Sequence, residues 1–151
     1  ELYNVGCAGL IVAFTQTNDN RYEIVLKGVS RYRILKETKS VNGFRLFNVK
    51  WDDFSEDKTV HNSSDPKKRI ILEEKLKNYF SKININADWE AIEASSDDDL
   101  INSISMGCPF SNVEKQALLE APSLDDRIDV LNSLIDMSIN QDRGFDSKTL
   151  S

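Results

Sequence analysis

The chain has 151 residues, 40% of them apolar, which suits one domain, or one domain with an added lobe, and excludes a disordered chain. Its net charge of −6 disfavours general nucleic-acid binding, because an acidic protein repels the phosphate backbone. The longest apolar run, Leu10 to Phe14, is far shorter than the roughly 20 residues that span a membrane. The sequence shows no secretory signal pattern and has two cysteines, which together indicate the cytoplasm.

The first part of the chain, residues 1–54, has the pattern of short antiparallel strands. The run Leu10–Phe14 is apolar throughout, which is typical of a strand buried on both faces. The turn-forming cluster Thr17–Asn20 follows it, and then apolar and polar residues alternate, so the sequence predicts a hairpin. Four strands are predicted in all, around Leu10–Phe14, Tyr22–Lys27, Arg31–Ile34 and Phe44–Trp51.

A polar stretch without periodicity, residues 55–65, is predicted to be a linker. Residues 66–140 then show helical spacing of apolar side chains and form a predicted helical lobe, and residues 141–151 form a polar tail. The helix boundaries are marked by capping residues and by prolines, which cannot continue a helix: Asp65 with Pro66, Asp88, Ser96, Ser111 with Glu114, Ser123, Pro109 and Pro122.

Three glycines and one arginine have predicted structural roles in the strands. Gly6 and Gly9 favour a bend at a sheet edge, and Gly28 favours a bulge that joins two strand segments. The guanidinium of Arg31 can then satisfy backbone carbonyls at that bend, and this structural role is preferred to a ligand contact.

No catalytic or metal-binding pattern is present in the sequence. The single histidine, His61, lies in the polar linker, which is typical of a solvated surface residue. Cys7 and Cys108 have no partner at metal-ligand spacing, and free buried thiols are favoured over a disulfide between them. No phosphate-binding glycine loop occurs, and every lysine lies in polar sequence, which disfavours a Ser-Lys pair. The sequence therefore predicts a protein that is not an enzyme and needs no cofactor or metal.

Several segments resemble the Lon N-terminal domain family. The resemblance extends over nearly the whole chain, roughly Leu2 to Ile139, and is greatest to the short standalone bacterial members. The combination of the Gly28/Arg31 pair with the two later segments is what makes it specific. The segments are Val5–Ile11, Arg21–Leu26, Gly28–Ile34, Cys108–Ser111 and Leu118–Arg127.

The resemblance implies an α+β fold, in which a PUA-like twisted antiparallel sheet or pseudo-barrel precedes a helical lobe. It also implies that the chain engages unfolded or damaged polypeptide and is linked to ATP-dependent proteolysis. The opening strand of the family is absent from this sequence, so we expect exposed sheet edges that pair with another copy.

Three functional hypotheses follow. In the first, a non-catalytic module binds exposed polypeptide, with Arg31, Phe44, Phe47 and Trp51 as candidate contacts. In the second, the PUA-like fold binds RNA or a small ligand, which the net charge disfavours. In the third, the chain is the substrate-recognition domain cut from a full Lon protease.

Overall fold

The computed structural model describes residues 2–59 and 62–141, except for the side chains of Val41 and Gln141. The chain divides into two compact units, residues 1–60 and residues 61–151, which we call the β-unit and the helical unit. This division falls within the stretch predicted as a linker, although the start of that stretch is part of a 3₁₀ segment, Asp52–Lys58. His61 and residues 142–151 of the predicted tail lie outside the described residues.

The β-unit contains a three-stranded antiparallel sheet in the order β1-β2-β3, formed by β1 (Val5–Gln16), β2 (Tyr22–Val41) and β3 (Phe44–Lys50). The predicted hairpin between β1 and β2 is confirmed, with Gln16 opposite Tyr22. Asn42 and Gly43, with φ of 53° and 82°, form the second turn. Left-handed conformations at both loop residues match the twist of the flanking strands.

The prediction of four strands was wrong by one. The second and third predicted strands are one strand, β2, of 20 residues. Gly28 does not end it. The residue pairs Gly9–Gly28 and Ala8–Ser30 flank a register shift, so Val29 is the extra residue of a bulge, as predicted for this position. The sequence signal of a break was therefore a bulge, which interrupts alternation without interrupting the strand.

The described part of the helical unit contains five helices: α1 (Pro66–Lys82), α2 (Trp89–Ala94), α3 (Asp97–Gly107), α4 (Asn112–Glu120) and α5 (Leu124–Gln141). The predicted caps are confirmed. The Asp65 carboxylate accepts a hydrogen bond from the Lys67 amide, and Ser111 and Glu114 form a complete capping box. Pro109 lies between α3 and α4, and Pro122 lies between α4 and α5.

The apolar core lies in the helical unit. Side chains one helical turn apart on α1, α3 and α5 pack together, and this burial of apolar surface is the main favourable term in folding. Among the described residues of the β-unit, Val5 and Phe54 are the buried apolar side chains. The core cluster comprises Leu72, Leu76, Tyr79, Phe80, Leu100, Ile101, Ile104, Cys108, Phe110, Leu118, Ile128, Leu131, Leu134 and Ile135.

The two cysteines are free, as predicted, but differ in environment. Cys108 is buried in the helical core, and this burial raises the pKa of its thiol. Cys7 is exposed on β1, so the prediction of two buried thiols was wrong for Cys7. In the described part of the chain, no helix has the length and apolar character needed to cross a membrane.

Candidate functional site

Arg31 is buried in the middle of β2, opposite Cys7 near the start of β1. Its Nη2 and Nε donate to the Asp57 carboxylate at 2.7 and 2.9 Å, and its backbone amide donates to the same carboxylate at 2.8 Å. The guanidinium carbon lies 4.4 Å from the ring centroid of Phe54, which is also buried. This geometry fixes the 3₁₀ segment against β2, because a forked guanidinium bonds a carboxylate and stacks on a ring at the same time. These contacts give Arg31 a structural role through a carboxylate and a ring, whereas the sequence analysis expected backbone carbonyls as its partners, and that expectation stays a prediction.

The three predicted aromatic contacts lie apart from one another. Phe44 begins β3 and is 70% exposed, whereas the Phe47 ring is partly covered by the Arg45 guanidinium at 5.2 Å. Trp51 follows β3 and packs edge to face on Tyr32, with ring centroids 5.4 Å apart. Because side chains alternate along a strand, Phe44 projects from the opposite face of β3 to Phe47. The described residues therefore do not bring the aromatics into one pocket.

The hairpin end of the sheet carries an apolar surface that the sequence analysis missed. The run Leu10–Phe14 was predicted to be buried on both faces, and this was wrong: its large apolar side chains are 52% to 69% exposed. The prediction treated an apolar run as evidence of burial. Within the β-unit, however, the 3₁₀ segment packs on Arg31, which lies opposite Cys7 and away from the hairpin turn.

The register places these exposed side chains on one face. Ile11 lies opposite Leu26 and Phe14 lies opposite Ile24, and residues two apart on β2 share a face. The rings of Phe14 and Tyr22 contact each other edge to face, with centroids 6.4 Å apart. We call this set the aromatic face: Ile11, Phe14, Tyr22, Ile24 and Leu26, each more than half exposed.

The opposite face of the same hairpin differs in chemistry. There, Lys27 lies opposite Leu10 and Glu23 lies opposite Thr15, so charged and hydroxyl side chains interrupt the apolar ones. An antiparallel sheet commonly covers one face and leaves the other in water. The distribution of charge therefore identifies the aromatic face as the one that suits a covering partner.

Two glycines divide the aromatic face from the covered end of the sheet. Gly9 and Gly28 lie directly opposite each other. A Cβ at Gly9 would lie 3.4 Å from Leu26, and one at Gly28 would lie 3.6 Å from Cys7 Sγ. Both distances are ordinary van der Waals contacts, so the Leu26 and Cys7 side chains already lie beside these two positions.

The outer strand β1 has unusual composition for an edge. Its 12 residues contain no Asp, Glu, Lys or Arg, whereas β2 and β3 both carry charged residues. In the described sheet β1 pairs with β2 along one side, and the stretch Cys7–Gln16 forms the other, outer edge. Natural sheets commonly protect an edge with charges, and β1 lacks them.

The basic residues of the β-unit are largely paired with carboxylates. Arg33 and Lys50 donate to Asp53 at 2.7 and 2.6 Å, and these hydrogen bonds lower the Asp53 pKa. Arg45 donates to Glu37 at 2.8 Å. An RNA site on this unit would use Arg31, Arg33, Lys36 and Arg45. With the Arg31–Asp57 pair, three of these four residues already have local counter-charges.

An open, polar cavity of about 440 Å³ lies near the start of α3 in the helical unit. Arg69 dominates it, and its guanidinium bonds Asp97, Glu73 and the Ile92 carbonyl. These contacts join α1 to α2 and α3, which gives the cluster a structural role. No group of three or more His, Cys, Asp or Glu in the described ranges is placed to hold a metal ion.

Comparison with known proteins identifies the family. The family model of the ATP-dependent protease La (LON) substrate-binding domain matches residues 1–137. The chain belongs to this family. The resemblance deduced from the sequence segments is therefore confirmed.

Solved structures of the family share the α+β fold. One is the Lon N-terminal domain protein from Xanthomonas campestris, with 15% identity and a TM-score of 0.62, covering 87% of this chain and 68% of that one. Another is the N-terminal domain of the Mycobacterium avium complex Lon protease, with 17% identity and a TM-score of 0.60, covering 88% and 70%. No curated protein matches the chain significantly.

Proposed function

We propose that this chain binds unfolded or exposed polypeptide segments through the sheet of its β-unit, as a non-catalytic module. The observation that carries the proposal is the aromatic face, in which five adjacent large apolar side chains are each more than half exposed. A contiguous exposed apolar surface marks an interaction site. The membership of the chain in a substrate-binding domain family supports a polypeptide as the ligand.

The residues predicted from the sequence have separate parts in this proposal. Phe44 and Trp51 offer separate exposed contacts, because β3 pairs with the half of β2 that lies away from the aromatic face, and Phe47 adds a half-covered ring. Arg31 acts through position, because its pairing with Asp57 holds the 3₁₀ segment at the end of the aromatic face.

The test is titration with a permanently unfolded polypeptide, such as reduced and carboxymethylated α-lactalbumin, followed by amide chemical shifts. We expect perturbations on the hairpin of β1 and β2. The double variant Phe14→Ser/Ile24→Ser removes one cross-strand pair of the aromatic face and should weaken binding about tenfold, corresponding to about 1.4 kcal/mol.

The matched control is Ile70→Ser/Ile71→Ser, which removes two exposed apolar side chains from α1 in the helical unit. It should leave the affinity unchanged. Equal losses in both double variants, or no perturbation of the β-unit at high polypeptide excess, would contradict the proposal.

The family also supports a link to ATP-dependent proteolysis, in which the bound segment is destined for degradation in the cytoplasm. We propose this link for the chain either as a standalone protein or as part of a full Lon protease. Extending the gene sequence beyond Ser151 decides between the two, because a phosphate-binding GxxxxGK[ST] loop and a Ser-Lys peptidase domain must follow in a full protease.

RNA binding is the alternative, and the ion pairs of the β-unit argue against it. Each of Arg31, Arg33 and Arg45 would have to leave a carboxylate to reach a phosphate. We therefore expect no salt-sensitive RNA binding in an electrophoretic mobility assay. An RNA complex whose affinity falls steeply with salt and with Arg33→Ala would favour this alternative instead.

A further inference from the structure

We propose that Asn42, in the turn between β2 and β3, is a site of spontaneous chemical modification. The amide nitrogen of Gly43 attacks the side chain of Asn42, ammonia leaves, and water then opens the cyclic product to a carboxylate. Water is the co-reactant, and the chain supplies the other groups. This proposal is independent of polypeptide binding.

The reaction balances without an oxidant, a reductant or a cofactor. A bond forms between the Gly43 amide nitrogen and Cγ of Asn42, and the bond between Cγ and Nδ2 breaks. Nδ2 takes up the proton of the amide nitrogen and leaves as ammonia, which gives a five-membered cyclic imide. Water then breaks either of the two imide bonds. Breaking the bond to Cγ yields aspartate, and breaking the bond to the main-chain carbonyl yields isoaspartate, in which the main chain passes through Cγ.

The first argument is the residue that follows the asparagine. Asn42–Gly43 is the one Asn-Gly pair in the sequence. Ring closure brings the amide nitrogen of the following residue against Cγ, and a side chain on that residue hinders the approach. Glycine has no side chain and the widest range of backbone conformations, so it allows the approach most readily.

The second argument is a comparison within the molecule. Among the described residues, three asparagines have a positive φ: Asn20 at 62°, Asn42 at 53° and Asn84 at 54°. The three share one φ region, so φ does not distinguish them and the next residue does. Arg21 follows Asn20 and Ile85 follows Asn84, and both carry a bulky side chain.

The third argument is the hydrogen bonding of the attacking amide. The Arg21 amide donates to Thr17 Oγ1 at 3.2 Å. The Ile85 amide donates to the Phe80 carbonyl at 2.9 Å. In both places the amide that would attack the asparagine is therefore engaged by another group.

The Gly43 amide is placed differently. In a two-residue hairpin loop the closing hydrogen bond joins the flanking residues, here Val41 and Phe44, so the Gly43 amide takes no part in it. The pairing of β2 with β3 is also irregular between Thr38 and Val41, beside this loop. This irregularity favours the local opening that Asn42 needs to bring its Cγ against the Gly43 nitrogen.

The two products differ in their effect on the turn. Aspartate changes one side chain and adds one negative charge. Isoaspartate also adds a methylene group to the main chain, in a loop whose length sets the register of the hairpin. The Ser40 hydroxyl donates to the Phe44 carbonyl at 2.6 Å beside this loop, and this hydrogen bond should weaken in the isoaspartate form.

The experiment incubates the full chain at mildly alkaline pH in water enriched in heavy oxygen, and then digests samples at acidic pH for peptide mass spectrometry. We expect Asn42 to lose its amide at least tenfold faster than Asn20 or Asn84, with heavy oxygen in the product. The rate should rise with pH, because the attacking amide nitrogen must lose its proton. Electron-transfer fragmentation should identify both aspartate and isoaspartate at position 42.

A matched pair of variants tests the role of the following residue. Gly43→Asn keeps a residue that tolerates a left-handed conformation but adds a side chain. It should slow the loss at Asn42 at least tenfold. Ile85→Val keeps a bulky residue after Asn84 and should leave the rate at Asn42 unchanged.

Three results would overturn the proposal. In the first, Asn42 keeps its amide as long as Asn84 does in the folded chain. In the second, Gly43→Asn loses the amide as fast as the wild type. In the third, the wild type loses the Asn42 amide in urea but not when folded, which would show that the turn protects the pair. This last comparison does not depend on the folding of any variant.

Discussion

At the scale of single residues, the Arg31–Asp57 pair shows how a charge can be buried in a small sheet. Both side chains are largely inaccessible, and each satisfies the other with several hydrogen bonds. Such a pair adds little net stability against an apolar replacement, but removing one partner leaves an uncompensated buried charge. The pair therefore matters to stability mainly because removing one partner would leave the other charge buried and unpaired.

We predict that Asp57→Ala lowers the free energy of unfolding of the β-unit by about 3 kcal/mol, the cost of leaving the Arg31 charge buried and unpaired. The measurement is urea denaturation followed by fluorescence of Trp51. Glu37→Ala, which removes the carboxylate of the exposed Arg45–Glu37 pair, is the control and should lower the free energy of unfolding far less, because water screens that pair. Similar values for the two variants would refute the structural role of the buried pair.

At the scale of elements, the helices were far more predictable than the strands. Ser111 and Glu114 identified the start of α4 because a hydroxyl and a carboxylate three residues apart satisfy free amides locally. The strands depend on partners distant in sequence, so a short stretch of sequence does not determine how many strands form or which side chains are buried. For this reason the sequence analysis divided β2 at the bulge of Val29 and predicted burial for Phe14, which is exposed.

Ser111→Ala should destabilise the helical unit by about 1 kcal/mol, because the Glu114 amide loses its side-chain acceptor. The effect should depend on pH. Hydrogen bonds from the Ser111 side chain and backbone lower the Glu114 pKa from 4.5. The stabilisation from this carboxylate is thus complete above that value and is lost as the pH falls through the lowered folded pKa.

The measurement is thermal unfolding followed by helical circular dichroism at a series of pH values. The difference between the wild type and Ser111→Ala should shrink on acidification. Gln116→Ala, at a half-buried position in the middle of the same helix, keeps the capping box and serves as the control. A difference that stays constant with pH would show that Glu114 does not contribute through its charge.

At the scale of the whole molecule, the two units differ in how far their apolar side chains are buried. The helical unit holds the buried core, whereas the sheet keeps most of its apolar side chains accessible. The family, the α+β order of elements and the helical core were predictable from the sequence. The aromatic face was not, because periodicity shows which residues share a face and does not show whether anything covers it.

This division predicts opposite responses to similar substitutions. Leu76→Ala, at a position with no solvent exposure, should destabilise the protein by about 2–5 kcal/mol. Leu26→Ala, on the aromatic face, should change stability by less than about 0.5 kcal/mol while weakening polypeptide binding. Chemical denaturation and polypeptide titration of both variants measure the two effects. A large loss of stability in Leu26→Ala would show that the face is core rather than binding surface.

The contrast between the two faces of the hairpin has a consequence for selectivity. Under the proposed function, an extended segment that lies on the aromatic face would turn every second residue toward Ile11 and Phe14 and the others away from the sheet. Recognition of this kind discriminates by the order of residues rather than by composition. Two segments with the same overall hydrophobicity would then differ in affinity when only one of them alternates. Amphipathic strands lost from a damaged protein would be preferred over helical segments of equal apolar content.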